Sequence, residues 1–149
     1  MATVIETGTT LAYLNHILRG ERAAVDTYQT ALESVEDEEI CQSLRKMMVD
    51  HKQNVLLIER EIQSMGGAPE ESAGVWGTVA NGVTEVATSI GDKTTLLALR
   101  AGEGHGIREY EGIINSSEML NSSEVLLNKK LLPDCIKHNA ELTKLIDSM

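Results

Sequence analysis

Gly20-Glu21-Arg22-Ala23-Ala24-Val25-Asp26-Thr27-Tyr28 and Gly102-Glu103-Gly104-His105-Gly106-Ile107-Arg108-Glu109-Tyr110 follow one pattern, Gly-Glu-x3-(Val or Ile)-x2-Tyr, at a constant offset of 82 residues. Within each stretch the Glu, the aliphatic residue and the Tyr fall four and seven positions apart, so all three share one face of a helix. Self-similarity at a fixed offset makes the two stretches copies of one structural unit. Two further helices repeat in the same way: His51 is followed seven residues later by Ile58, and His138 seven residues later by Leu145. Each of these places one histidine on an apolar stripe. The chain therefore reads as two similar helical hairpins, an all-α four-helix bundle.

The rest of the sequence agrees with that frame. The first period runs from Thr9 to about Val35 on Leu11, Leu14, Ile17, Leu18, Val25, Tyr28 and Leu32, with Thr9 or Thr10 as the expected N-cap. Glu36-Asp37-Glu38-Glu39 closes that helix and suits the positive end of the next. The second helix carries Ile40, Leu44, Met47, Met48, Val55, Ile58 and Ile62 and stops at Gly66-Gly67-Ala68-Pro69. A third runs from about Lys93 to Asn121, and a fourth from about Ser123 to Asp147, interrupted by Pro133, which removes the partner of the Lys129 carbonyl and bends the helix. Between the hairpins, Gly67 to Asp92 forms a connector of about 25 residues, long enough to cross the bundle and start the third helix parallel to the second. Trp76, Val79, Val83, Val86 and Ile90 lie on one helical face within it and predict a short helix.

At 149 residues the chain is expected to be one domain, 1–149. A net charge of −10 opposes binding to phosphate backbones or anionic lipid, so neither nucleic acid nor membrane is an expected partner. No apolar run approaches the roughly 20 residues of a spanning helix, and MATVIETGTT lacks the basic and apolar segments of a secretion signal, which predicts a cytoplasmic protein. Cys41 and Cys135 read as small buried hydrophobes, with a pairing between them left open.

The Gly-Glu-x6-Tyr helices, each paired with a helix carrying an inward histidine, resemble the ferritin-like superfamily and in particular its small bacterial four-helix members. The resemblance extends to the Gly-Gly-x-Pro stop at Gly66, Gly67 and Pro69 and to Leu-Leu-Pro-x4-His from Leu131 to His138. It implies that Glu21, His51, Glu103 and His138 occupy ligand positions of a di-metal centre built in the bundle core. Tyr28 and Tyr110, seven residues from the glutamates, are then donors standing behind the ligands. The family pattern also calls for a glutamate three residues before each histidine, and here those residues are Met48 and Cys135. Two glutamates and two histidines carry less negative charge than two metal ions ordinarily require, so the implied centre is degenerate. Asp134, one turn before His138, is a candidate replacement ligand if the Pro133 bend turns it inward, whereas Asp50 points about 100° away from His51 around its helix. Cys135 is a further candidate, since Cys135-x-x-His138 and Met48-x-x-His51 also read as soft pairs suited to copper or zinc, although Met and Cys fill core space routinely.

Two functional readings follow from these residues. One is metal binding at a reduced Glu/His site, with a transition-metal ion (iron, manganese or zinc) as cofactor and oxidase chemistry dependent on a complete ligand shell. The other is a metal-free bundle in which the same residues form a buried hydrogen-bonded cluster and function lies in self-association, the expected assembly being a homo-oligomer, in the simplest case a dimer. His16 and His105 fall off the repeat and are expected at the surface. The glycines of Gly102-Glu103-Gly104-His105-Gly106 are assigned to close helix packing, because no strand precedes them as a phosphate loop would need.

Overall fold

The computed structural model describes residues 3–70 and 77–149, and side chains except those of residues 77–82. Its elements are α1 (Val4–Ser34), α2 (Glu38–Ser64), α3 (Gly77–Thr88), α4 (Asp92–Ser116), α5 (Asn121–Leu126), a π-helical turn (Leu127–Leu131) and α6 (Leu132–Asp147). No strand occurs among the described residues.

α1 starts five residues before the expected boundary, because a better cap lies upstream. The Thr3 hydroxyl accepts from the Glu6 amide while the Glu6 carboxylate accepts from the Thr3 amide, a reciprocal pair that satisfies two otherwise unbonded donors. Thr9 and Thr10 are therefore helical; the buried Thr10 hydroxyl accepts from the Leu120 amide and ties α1 to the start of α5. Asp37 caps α2 through the Ile40 amide, and Gly66 leaves it at φ +80°, as the acidic stretch and the double glycine indicate. α4 ends at Ser116, earlier than its periodicity suggests, because Ser117 takes a left-handed conformation at φ 56°.

Pro133 acts differently from expectation. It sits at the start of α6, and the turn before it is wound as a π-helix in which the Leu132 amide bonds the Leu127 carbonyl five residues back. The missing proline donor is accommodated by a local widening of the helix. In the connector, α3 packs on α1 and α4. Val86 is buried and Val83 half-buried, but Ile90 lies past the end of the helix and is 89% exposed. Trp76, with residues 71–75, lies outside the described residues, as does the Val79 side chain.

Contacts between helices give their directions. Tyr28 meets Met47 while Arg22 meets Glu59, so α1 and α2 are antiparallel; Arg100 meets Thr143 while Glu103 meets His138, so α4 and α6 are antiparallel. Tyr28 to Glu103 and Tyr13 to Glu118 make α1 and α4 antiparallel as well. The apolar interior is split in two. One cluster gathers Ala31, Leu44, Met47, Met48, Leu96, Leu99 and Leu142, the other Leu14, Leu18, Ile58, Ile62, Ile113, Leu127 and Leu131. Between them, in chain order on every helix, sit Glu21, His51, Glu103 and His138, all buried. Each buried Leu or Ile contributes roughly 1.5–3 kcal/mol by leaving water, and these two clusters hold the polar layer in place.

Two glycine substitutions separate backbone strain from helix propensity. Gly66→Ala forces a side chain into the left-handed region and is expected to lower the unfolding free energy by about 1 kcal/mol. Gly8→Ala, in the exposed first half of α1 where an added Cβ meets nothing within 4 Å, is expected to raise it by a similar amount, about 0.5–1 kcal/mol. Urea midpoints of the two variants check both signs.

Candidate metal centre

The polar layer is one connected network centred on Glu103. Its Oε1 accepts from the Tyr28 hydroxyl at 2.6 Å and lies 2.7 Å from His51 Nε2 and 3.1 Å from His138 Nδ1. The other nitrogen of His51, Nδ1, lies 2.6 Å from Glu21 Oε2, and the other oxygen of Glu21 accepts from the Tyr110 hydroxyl. The other nitrogen of His138, Nε2, lies 2.8 Å from Asp50 Oδ2. The two imidazole rings are 4.9 Å apart between centroids. The tyrosines are reciprocal: that of α1 donates to the glutamate of α4, and that of α4 to the glutamate of α1. The histidines are not, since His51 touches both glutamates whereas His138 touches Glu103 and Asp50.

Electrostatics follow from burial and pairing. Burial opposes charge on His51, but the carboxylates of Glu21 and Glu103 on either side outweigh it and raise its basicity well above the ordinary imidazole range. Burial likewise opposes ionisation of Glu103, and His51 and His138 overcome that to hold its carboxyl far below the usual range. Tyr28 and Tyr110 are pushed up by burial and by the glutamates they serve, so both remain neutral donors. Burial, Glu103 and Glu21 also push up the Cys135 thiol.

Of the residues singled out in the sequence, Glu21, His51, Glu103, His138, Tyr28 and Tyr110 come together. His51, Glu103 and His138 form the tightest group, each offering one ligand atom within 4.8 Å of the others, and they are the one such set among the described residues. Cys135 is buried beside Glu103 and in no disulfide; Cys41, also in no disulfide, lies in the apolar cluster with Leu44 and Met47. Asp134 goes elsewhere: its Oδ2 pairs with Lys130 at 2.6 Å and accepts from Asn54 at 3.2 Å. The widened turn before Pro133 thus places it opposite a lysine and not against the histidines. Met48 lies in the apolar cluster. Asp50 is adjacent to His51 and so faces about 100° away around α2, but that direction is the direction of α6. The signal available in the sequence is the polar pair Asp50 and Asn54, one turn apart, both of which meet α6.

The side chains fit one metal ion better than two. Three donors converge on Glu103 Oε1, while Glu103 Oε2 is buried with no hydrogen-bond partner among the described residues. A buried carboxylate oxygen without a partner is costly, and a cation satisfies it. Two imidazoles and a carboxylate are a common donor set for a single transition-metal ion, whereas two ions need bridging carboxylates that Met48 and Cys135 do not supply.

Comparison with known proteins supports the architecture. Residues 9–116 match the family described as Domain of unknown function (DUF2383). The chain belongs to this family. Three solved structures share its fold, and that fold is ferritin-like. A ferritin-like, diiron-carboxylate protein from Bacillus anthracis str. Ames is 20% identical at a TM-score of 0.75, the match covering 97% of this chain and 99% of that one. A dodecameric thioferritin from Bacteroides fragilis, described as bacterioferritin-related, is 18% identical at a TM-score of 0.82, covering 95% and 86%. A two-domain protein from Anabaena variabilis ATCC 29413, with DJ-1/ThiJ/PfpI-like and ferritin-like domains, is 19% identical at a TM-score of 0.74 over 95% of this chain and 40% of that one. No curated protein matches the sequence. No described helix is long and apolar enough to cross a membrane.

The network predicts a graded response to mutation. Tyr28→Phe removes one donor to a buried carboxylate and is expected to cost about 2 kcal/mol of stability. His51→Ala leaves Glu21 and Glu103 buried without their shared counter-charge and is expected to cost more, about 3–5 kcal/mol. Chemical denaturation of the two variants measures the order; equal losses would show that His51 does not neutralise the glutamates.

Proposed function

We propose that the protein binds a single transition-metal ion through His51 Nε2, His138 Nδ1 and Glu103. The observation that carries this reading is their convergence, with all three ligand atoms within 4.8 Å of one another. Each imidazole turns one nitrogen to Glu103 and has its other nitrogen held by a carboxylate, Glu21 for His51 and Asp50 for His138. Metal-ligating histidines characteristically have such a carboxylate behind them, fixing the tautomer and the ring plane. Glu21 and Asp50 therefore orient the ligands, and Tyr110 and Tyr28 in turn hold Glu21 and Glu103. Iron, manganese and zinc all suit nitrogen and carboxylate donors, and the bound ion would supply Lewis acidity or, for iron and manganese, a redox couple.

Purification without chelator, followed by elemental analysis, is expected to give about one metal ion per chain, lost on Glu103→Gln and weakened about 10–100-fold by Asp50→Asn. Absence of stoichiometric iron, manganese, zinc or copper from the parent, even after incubation with each ion, sinks the proposal. The ferritin-like solved structures described as diiron-carboxylate and as a dodecameric thioferritin support a metal role and homo-oligomerisation, for which a dimer in a cytoplasmic setting is the simplest case.

One observation favours the metal-free alternative: both nitrogens of each histidine already have a partner, so the network stands without an ion. In that case the site is a buried ion-pair cluster that selects the bundle's packing, and function lies in self-association. Thermal unfolding with and without chelator separates the two. Metal binding predicts a clear loss of Tm with chelator; the metal-free cluster predicts none.

A further inference from the structure

A cavity of about 470 Å³ opens between α1 and α4, with Glu21, His51, Glu103 and Tyr110 on its floor. Its rim carries a second set of nitrogen and carboxylate donors. His16 Nε2 on α1 lies 2.9 Å from Glu109 Oε2 on α4, and His105 Nε2, one turn before Glu109, lies 3.4 Å from Glu109 Oε1. One carboxylate thus faces two imidazoles from two helices. All three are partly exposed, at 51%, 39% and 37% of their side-chain areas; their ligand atoms do not all lie within 4.8 Å of one another, so binding an ion requires the rings and the carboxylate to turn toward it. Gly20 and Gly102 line the passage between rim and floor, and a Cβ added to either would meet nothing within 4 Å. Close packing does not require these two glycines; of the glycines near Glu103, Gly106 is the one where an added Cβ would be crowded, 3.3 Å from Cys135 Sγ. Their missing side chains leave the way to Glu103 open.

We propose that His16, His105 and Glu109 form a second, solvent-facing site for a divalent transition-metal ion at the mouth of this cavity. Two imidazoles and a carboxylate match the donor preference of such ions, and the open outer side leaves room for water ligands. The net charge of −10 draws cations toward the surface that bears it. The site stands independently of the core centre; where that centre also binds, the mouth is the capture point from which it fills.

Titration of the full chain with Zn2+, followed through the ring resonances of its four histidines, tests both sites at once. His16→Gln and His105→Gln assign the mouth resonances. His16 and His105 are expected to respond together and saturate with one equivalent of Zn2+ at micromolar concentration, and Glu109→Gln is expected to weaken that response at least about tenfold. If His16 and His105 shift independently, need millimolar Zn2+, or behave the same in Glu109→Gln, the mouth site is overturned. Response at His16 and His105 with His51 and His138 unmoved would support the mouth site and remove the core reading; the converse would overturn the mouth site alone.

Discussion

The Glu103 carboxylate is charged in the middle of a four-helix bundle, and the arrangement around it is set by the cost of keeping it there. An isolated carboxylate in an apolar interior is unfavourable by many kcal/mol, so the charge must be matched and its lone pairs filled. His51 supplies the charge, and Tyr28, His51 and His138 direct three donors at one oxygen. Each neutralising group then needs its own support. His51 leans on Glu21, Glu21 on Tyr110, and His138 on Asp50. These side chains come from α1, α2, α4 and α6, so satisfying one carboxylate fixes the relative register of four helices. The apolar clusters on either side supply most of the burial energy; the polar layer specifies which packing is adopted.

The same network differs from the donor set that the ferritin-like resemblance implies. Replacing the glutamates three residues before the histidines by Met48 and Cys135 removes negative charge from the centre, and the remaining carboxylates are engaged with imidazoles and phenols. What is left has the donors for one ion. Asp50 enters from outside the expected pattern, reaching His138 from α2, and this gives both histidines the same two-sided environment by different means. The unpartnered Oε2 of Glu103 is the one buried carboxylate oxygen of the centre that the protein's own donors leave unsatisfied among the described residues.

Much of the fold and most of the site were legible in the sequence because helical periodicity and a repeat act over many residues. Glu21 with Glu103 and Tyr28 with Tyr110 are paired by the offset of 82, His51 with His138 by the apolar residue seven positions after each, and all six meet. Other features depend on tertiary contact and were not readable. The α1 cap at Thr3 competes with two plausible threonines downstream, and only the reciprocal Glu6 bond decides it. Asp134 and Asp50 are both a helix turn or less from a histidine, yet the widened turn before Pro133 delivers Asp134 to Lys130, while the neighbouring helix makes the outward direction of Asp50 an inward one. Ile90 continues an apolar period that the chain itself does not continue as helix. Gly102 reads as a packing device and instead lines open space, whereas Gly106 in the same stretch is packed.

Anomalous scattering from crystals grown with the native metal, collected at that metal's absorption edge, tests the central claim most directly. The account predicts one peak per chain, within bonding distance of His51 Nε2, His138 Nδ1 and a Glu103 oxygen, with Glu21 and Asp50 still behind the two rings. A map without a peak there, with both histidines still bonded to Glu103, would contradict it.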